Sequence, residues 1–85
     1  MNDHAKNPKS IEIIVSGTAY DVPDDTVTYA EVITLAYPDP PAADTRFTVT
    51  YYNAHKPKEG TLTAGQSVEV KRKGTVFNVK ATIKS

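Results

Sequence analysis

Residues 27–37, Val-Thr-Tyr-Ala-Glu-Val-Ile-Thr-Leu-Ala-Tyr, are the stretch that the rest of this chain must be built to cover. Tyr29, Val32, Ile33 and Ala36 recur at i, i+3, i+4 and i+7, which aligns them on one stripe of a 3.6-residue helix. Thr28 followed by Glu31 forms a capping box, in which the hydroxyl accepts from the amide three residues on and the carboxylate accepts from the amide of Thr28. Val27 and Val32 stand at the two positions of a hydrophobic staple. Pro38 lacks a backbone donor and disfavours helical geometry at Tyr37, so the helix should stop near Ala36 or Tyr37, before Asp39-Pro40-Pro41. A helix this short is marginal in water by itself, so its apolar stripe requires a partner layer.

The flanking sequence supplies strands. Residues 1–9 are polar and read as a flexible leader. In Ile11-Glu12-Ile13-Ile14-Val15-Ser16, alternation places Ile11, Ile13 and Val15 on one face and Glu12, Ile14 and Ser16 on the other. Gly17 permits a tight turn into Thr18–Val22, making a hairpin that Pro23-Asp24-Asp25 closes. Past the proline-rich break, Phe47, Val49 and Tyr51 alternate with Thr48, Thr50 and Tyr52. Gly60-Thr61-Leu62 reads as a short strand or edge, and Thr63–Gln66 as a turn. Val68 and Val70 then share a face in Ser67–Lys71, and Phe77, Val79, Ala81 and Ile83 align after Lys73-Gly74. One helix set among these strands predicts an α+β fold in which the helix lies across a mixed sheet. An all-β barrel is the alternative, and the helix signal opposes it.

Eighty-five residues suffice for one domain with one small core. With no cysteine, the core must hold without disulfides, and thiolate chemistry and cysteine-based zinc sites are excluded. No run has the length of a membrane-spanning helix, and the polar start lacks the apolar centre of a signal peptide, which predicts a cytoplasmic protein. Charge is uneven along the chain. Residues 1–53 hold eight acids and three bases, a net −5, and residues 54–85 hold seven bases and two acids, a net +5. Such a split either creates acidic and basic sides for a charged partner or lets the two halves complement each other within the fold.

Strand, strand, helix, strand, short strand, strand, with a further C-terminal strand or tail, resembles the β-grasp fold of ubiquitin-like proteins. The hairpin Ile11–Val22, the helix Thr28–Tyr37, the turn Asp39-Pro40-Pro41 and the strand Val68-Glu69-Val70-Lys71-Arg72-Lys73-Gly74 carry the likeness; the last looks like the basic strand leading to ubiquitin's C-terminal glycines. More narrowly, Gly60-Thr61-Leu62, Gly65–Val70 and Gly74–Val79 look like the bacterial multiubiquitin-type family. On this resemblance, residues 10–74 form a ubiquitin-like β-grasp core and residues 75–85 a C-terminal strand or tail.

The resemblance implies a small protein modifier, activated at its C-terminus by an E1-like activating enzyme and transferred by an E2-like conjugating enzyme. Glycines suit such a terminus because a backbone without Cβ threads a narrow channel. This chain departs from the pattern, for it ends Thr82-Ile83-Lys84-Ser85 and its last glycine is Gly74. Three readings follow: Ser85 supplies the carboxylate, a processing protease exposes Gly74, or the protein is not conjugated. Ser85 ranks above Gly74, since Phe77, Val79 and Ile83 are too well patterned for a discarded peptide. Ubiquitin-like domains also bind through the open face of the sheet, where Ile14, Thr48, Thr50 and Tyr52 are expected. Lys71, Arg72 and Lys73, with Phe77 beyond them, complete the expected partner-binding set.

Other chemistry is weakly signalled. His4 and His55 have no metal-ligand spacing, so no metal and no cofactor is expected. Asp24-Asp25 precedes the helix, where negative charge favours its N-terminus. No phosphate loop or nucleophile elbow occurs, so catalysis by this chain is not expected. Lys71-Arg72-Lys73 lacks the interleaved aromatics of a nucleic-acid platform, which leaves a nucleic-acid-binding domain as the third choice after a noncovalent β-grasp interaction module.

Overall fold

The structure, a computed structural model, describes residues 11–39 and 45–83. The leader expected at 1–9 and the terminal Ser85 lie outside the described residues. The chain opens with the predicted hairpin, β1 (Ile11–Val15) and β2 (Thr18–Val22), paired antiparallel with Ile13 opposite Tyr20. Both turn residues between them have positive φ, Ser16 at 49° and Gly17 at 86°, the handedness that matches the twist of hairpin strands. Ile11, Ile13 and Val15 are buried, and Ile14 is only half-buried on the opposite side.

The next element is not in the sequence reading. Thr26–Thr28 forms a short strand, β3, which pairs antiparallel with a later strand, Val27 directly opposite Val68. Asp24 therefore stands before a strand and not at the helix N-terminus; its Oδ1 accepts from the Thr26 N–H at 3.3 Å. The helix α1 (Tyr29–Ala36) follows with Thr28 as N-cap. Its capping box closes both ways: the Glu31 N–H donates to Thr28 Oγ1 at 3.1 Å, and the Thr28 N–H donates to Glu31 Oε1 at 2.9 Å. At the other end the Tyr37 N–H donates to the Ile33 carbonyl at 2.8 Å, and Pro38 ends the run. Val32 is fully buried, and Tyr29, Ile33, Leu35 and Ala36 are partly buried against the same core.

Beyond the helix come β4 (Thr45–Tyr52), β5 (Gly60–Leu62), β6 (Ser67–Glu69) and β7 (Lys73–Ile83). The main sheet has the order β2-β1-β7-β4-β5, and β3 with β6 forms a separate two-stranded ladder. β1 and β7 are parallel, and the remaining pairs are antiparallel. This is the mixed sheet with one helix across it of an α+β ubiquitin-like β-grasp. The core between helix and sheet contains Ile13, Val15, Val27, Val32, Val49 and Phe77, all essentially inaccessible. Burying each such side chain is worth about 1.5–3 kcal/mol, which is what supports so short a helix.

Two sequence expectations change here. The run Val68 to Gly74 is not one strand: β6 ends at Glu69, residues 70–72 connect, and β7 starts at Lys73. Glu69 and Val70 are held elsewhere, the Glu69 carbonyl accepting from the His55 N–H and the Val70 N–H donating to the Asp25 carbonyl. β7 is the middle strand of the sheet: its first part, to Phe77, lies between β1 and β4, and the rest continues along β4 to Ile83. A boundary at Gly74 therefore does not coincide with any break in the fold, because Thr75 and Phe77 are both fully buried.

Candidate functional site

One face of the sheet is covered by α1; the other is open. Strand register determines what the open face presents, since residues directly opposite across a ladder share a face. Ile14 pairs with Ala19 on one side and Val76 on the other, and Val76 pairs with Tyr52. Ala19, Ile14, Val76 and Tyr52 thus form a continuous apolar row across β2, β1, β7 and β4. Ile14 and Val76 are half-buried by their neighbours, and Tyr52 is 51% exposed, the most exposed large apolar side chain among the described residues.

Above this row the face turns polar. Thr50 lies opposite Asn78, Thr48 opposite Lys80, and Arg46 opposite Thr82, all exposed. Below it Glu12 pairs with Asp21, and Lys73 stands opposite Glu12 where the register shifts by one residue. The open face therefore carries an acidic corner at Glu12 and Asp21 and a basic end at Lys80 and Arg46. Arg46 comes from the acidic half of the chain, so the fold redistributes the charge that is split along the sequence.

Of the residues expected from the sequence, Ile14, Thr48, Thr50 and Tyr52 do share the open face. Lys71, Arg72 and Lys73 are exposed but lie in and after the β6–β7 connection, with separate surroundings. Lys71 Nζ donates to Asn53 Oδ1 at 3.1 Å, the Arg72 carbonyl accepts from the Glu12 N–H at 2.9 Å, and Arg72 also borders a hollow of about 260 Å³ beside Ile11, Pro23, Asp24 and Asp25. Phe77 does not belong to the contact set. It is fully buried, its ring centroid 5.9 Å from that of Tyr51, because the parity of β7 turns it toward the helix.

The same parity turns Val76 outward, and sequence reading passed over Val76 and Ala19. The signal was present: a residue next to an inward Phe77 must point the other way. Gly74 lies at the start of β7 with φ of 96°, and a Cβ there would stand 3.1 Å from Asn53 Nδ2. His55 uses its backbone amide in the fold and leaves its side chain exposed. Among the described residues no group of three His, Cys, Asp or Glu side chains could hold a metal, and no helix is long and apolar enough to cross a membrane.

A groove of about 360 Å³ runs between the β2 edge and α1, lined by Asp21, Val22, Pro23, Ala30, Thr34 and Leu35. The open face of the sheet presents an apolar row flanked by charges of opposite sign. A protein-family model described as Multiubiquitin matches residues 11–83. No curated protein and no solved structure matches the chain.

Proposed function

This chain belongs to the Multiubiquitin family, and on that premise we propose that it is a bacterial ubiquitin-like protein modifier, working in the cytoplasm and joined to targets through its C-terminus by partner enzymes. The β-grasp core provides recognition, and the chemistry belongs to an E1-like activating enzyme and an E2-like conjugating enzyme. In that sequence the terminal carboxylate displaces pyrophosphate from ATP to form an acyl adenylate, an enzyme thiolate displaces AMP, and an amine or hydroxyl of the target displaces the thiolate. The observation that supports the reading is the apolar row Ala19–Ile14–Val76–Tyr52 on the open face of a ubiquitin-like sheet, which a partner protein can cover. Ser85 is preferred to Gly74 as the attachment point. Cleavage after Gly74 would strip Thr75 and Phe77 from the core and β7 from the middle of the sheet, so a processed product would not keep this fold.

Intact-mass analysis of the protein co-expressed with candidate activating and conjugating enzymes tests the proposal. The expected result is a heavier adduct whose linkage maps to Ser85 and which disappears when Ser85 is deleted. No adduct, with enzymes shown to be active on another substrate, rejects it. The same apolar row also supports a second reading, a noncovalent β-grasp interaction module, because the row needs no free carboxylate to bind. Under that reading a chain lacking Ser85 keeps nearly all its affinity for its partner.

A further inference from the structure

β7 is eleven residues long, and β1 accompanies only its first part. Their parallel ladder ends at Val15 opposite Phe77, whereas the β4 ladder continues to Ile83 opposite Thr45. On the β1 side, the last contacts are made by Ser16: its N–H donates to the Phe77 carbonyl at 2.8 Å, and its Oγ accepts from the Val79 N–H at 3.3 Å. Backbone groups alternate sides along a strand, so the odd-numbered residues of β7 point their N–H and C=O toward the β1 side and the even-numbered ones toward β4. The Val79 carbonyl, both groups of Ala81 and the N–H of residue 83 therefore face a side where, among the described residues, no strand lies.

The outer strands of the sheet are guarded in the ways expected of monomers. β5 has only three residues, and β2 carries Asp21 and is followed by Pro23. Residues 79–83 have no proline, acid or bulge, their one charged side chain is Lys80, and their β4 register is unbroken from Val76 to Ile83. We propose that residues 79–83 of β7 are an open sheet edge that pairs antiparallel with the same residues of a second copy of this chain. Centred on Ala81, this register is self-complementary. Ala81 meets Ala81 of the second copy as the hydrogen-bonded pair, and Lys80 meets Thr82 of the second copy, so the one charge in the segment never faces its own kind. The two Ser16 turns lie at opposite ends of the shared segment and leave its middle accessible.

The test is sedimentation equilibrium of the full chain from micromolar to millimolar concentration, alongside two kinds of variant. The wild type is expected to show a concentration-dependent monomer–dimer equilibrium. Ala81→Pro removes the two central donors of the dimer, but no donor to β4, and should weaken association by about tenfold or more while the melting temperature of the monomer holds. Thr82→Glu and Thr82→Lys should move the dimer in opposite directions, Glu tightening it against Lys80 of the second copy and Lys loosening it, with both effects fading in high salt. Thermal melts of the two monomers report separately on the Arg46 side chain opposite position 82 in the fold. A wild type that stays monomeric throughout, an Ala81→Pro chain that dimerises as before, or Thr82 variants that shift the equilibrium the same way would each overturn the proposal.

Discussion

The Thr75 hydroxyl donates to the Asn53 carbonyl at 2.8 Å and accepts from the Lys71 N–H at 3.0 Å, joining the end of β4 to the loop that launches β7. Thr75 is fully buried, so this one hydroxyl satisfies two backbone groups of irregular segments that have no ladder of their own there. Asn53 itself has a φ of 60°, and its side chain continues the link, Nδ2 donating to the Gly74 carbonyl at 3.0 Å. The central strand is thereby anchored where it enters the sheet.

Thr75→Val keeps the shape and removes the hydroxyl, leaving the Asn53 carbonyl and the Lys71 N–H without their partner. A loss of about 1–3 kcal/mol is expected, read as a lower urea midpoint with an unchanged slope. Thr75→Ser keeps the hydroxyl and should recover most of the midpoint.

Gly74→Ala and Gly17→Ala compare two glycines of similar φ, 96° and 86°. Each substitution incurs the strain of a left-handed backbone, about 1–3 kcal/mol. At Gly17 nothing lies within 4 Å of the new Cβ, whereas at Gly74 it meets Asn53 Nδ2 at 3.1 Å. Gly74→Ala should therefore be the more destabilising of the two in the same denaturation assay, and Asn53→Ala should shrink the difference between them.

Tyr52→Ala and Phe77→Ala separate surface from core. Phe77 is enclosed, and its truncation is expected to cost about 3–5 kcal/mol and abolish cooperative melting at physiological temperature. Tyr52 is half exposed at the end of the apolar row, so Tyr52→Ala should leave the melting temperature within a few degrees of wild type. If the row is the docking surface, the same change weakens capture of the activating enzyme by about tenfold or more in a binding titration, as truncating an aromatic anchor does.

Sequence reading reached the open face through Ile14, Thr48, Thr50 and Tyr52, because alternation within a strand assigns faces without knowledge of the neighbours. It placed Phe77 in the contact set and passed over Val76 for a different reason. The face that β7 turns outward depends on where the strand lies, and the basic run before it resembled a strand leading out of the domain. With β6 ending at Glu69 and β7 beginning at Lys73, Val68 belongs to one ladder, Val70 to the connection after it, and Phe77 to another sheet.

What the sequence by itself determined was local: the capped helix and its proline stop, the Ile11–Val22 hairpin, the alternation of β4 and the brief β5. Each depends on residues within a few positions of one another, where propensity, capping and side-chain period act. Only the tertiary structure decided that β7 lies between β1 and β4, that Val27 pairs with Val68, and that Asn53, Lys71 and Thr75 meet. Apart from Lys71 and Thr75, four positions apart, those contacts join residues some 20 to 60 positions apart, and their selection depends on which apolar faces can be buried together once the chain has collapsed, a property that no single stretch of sequence carries.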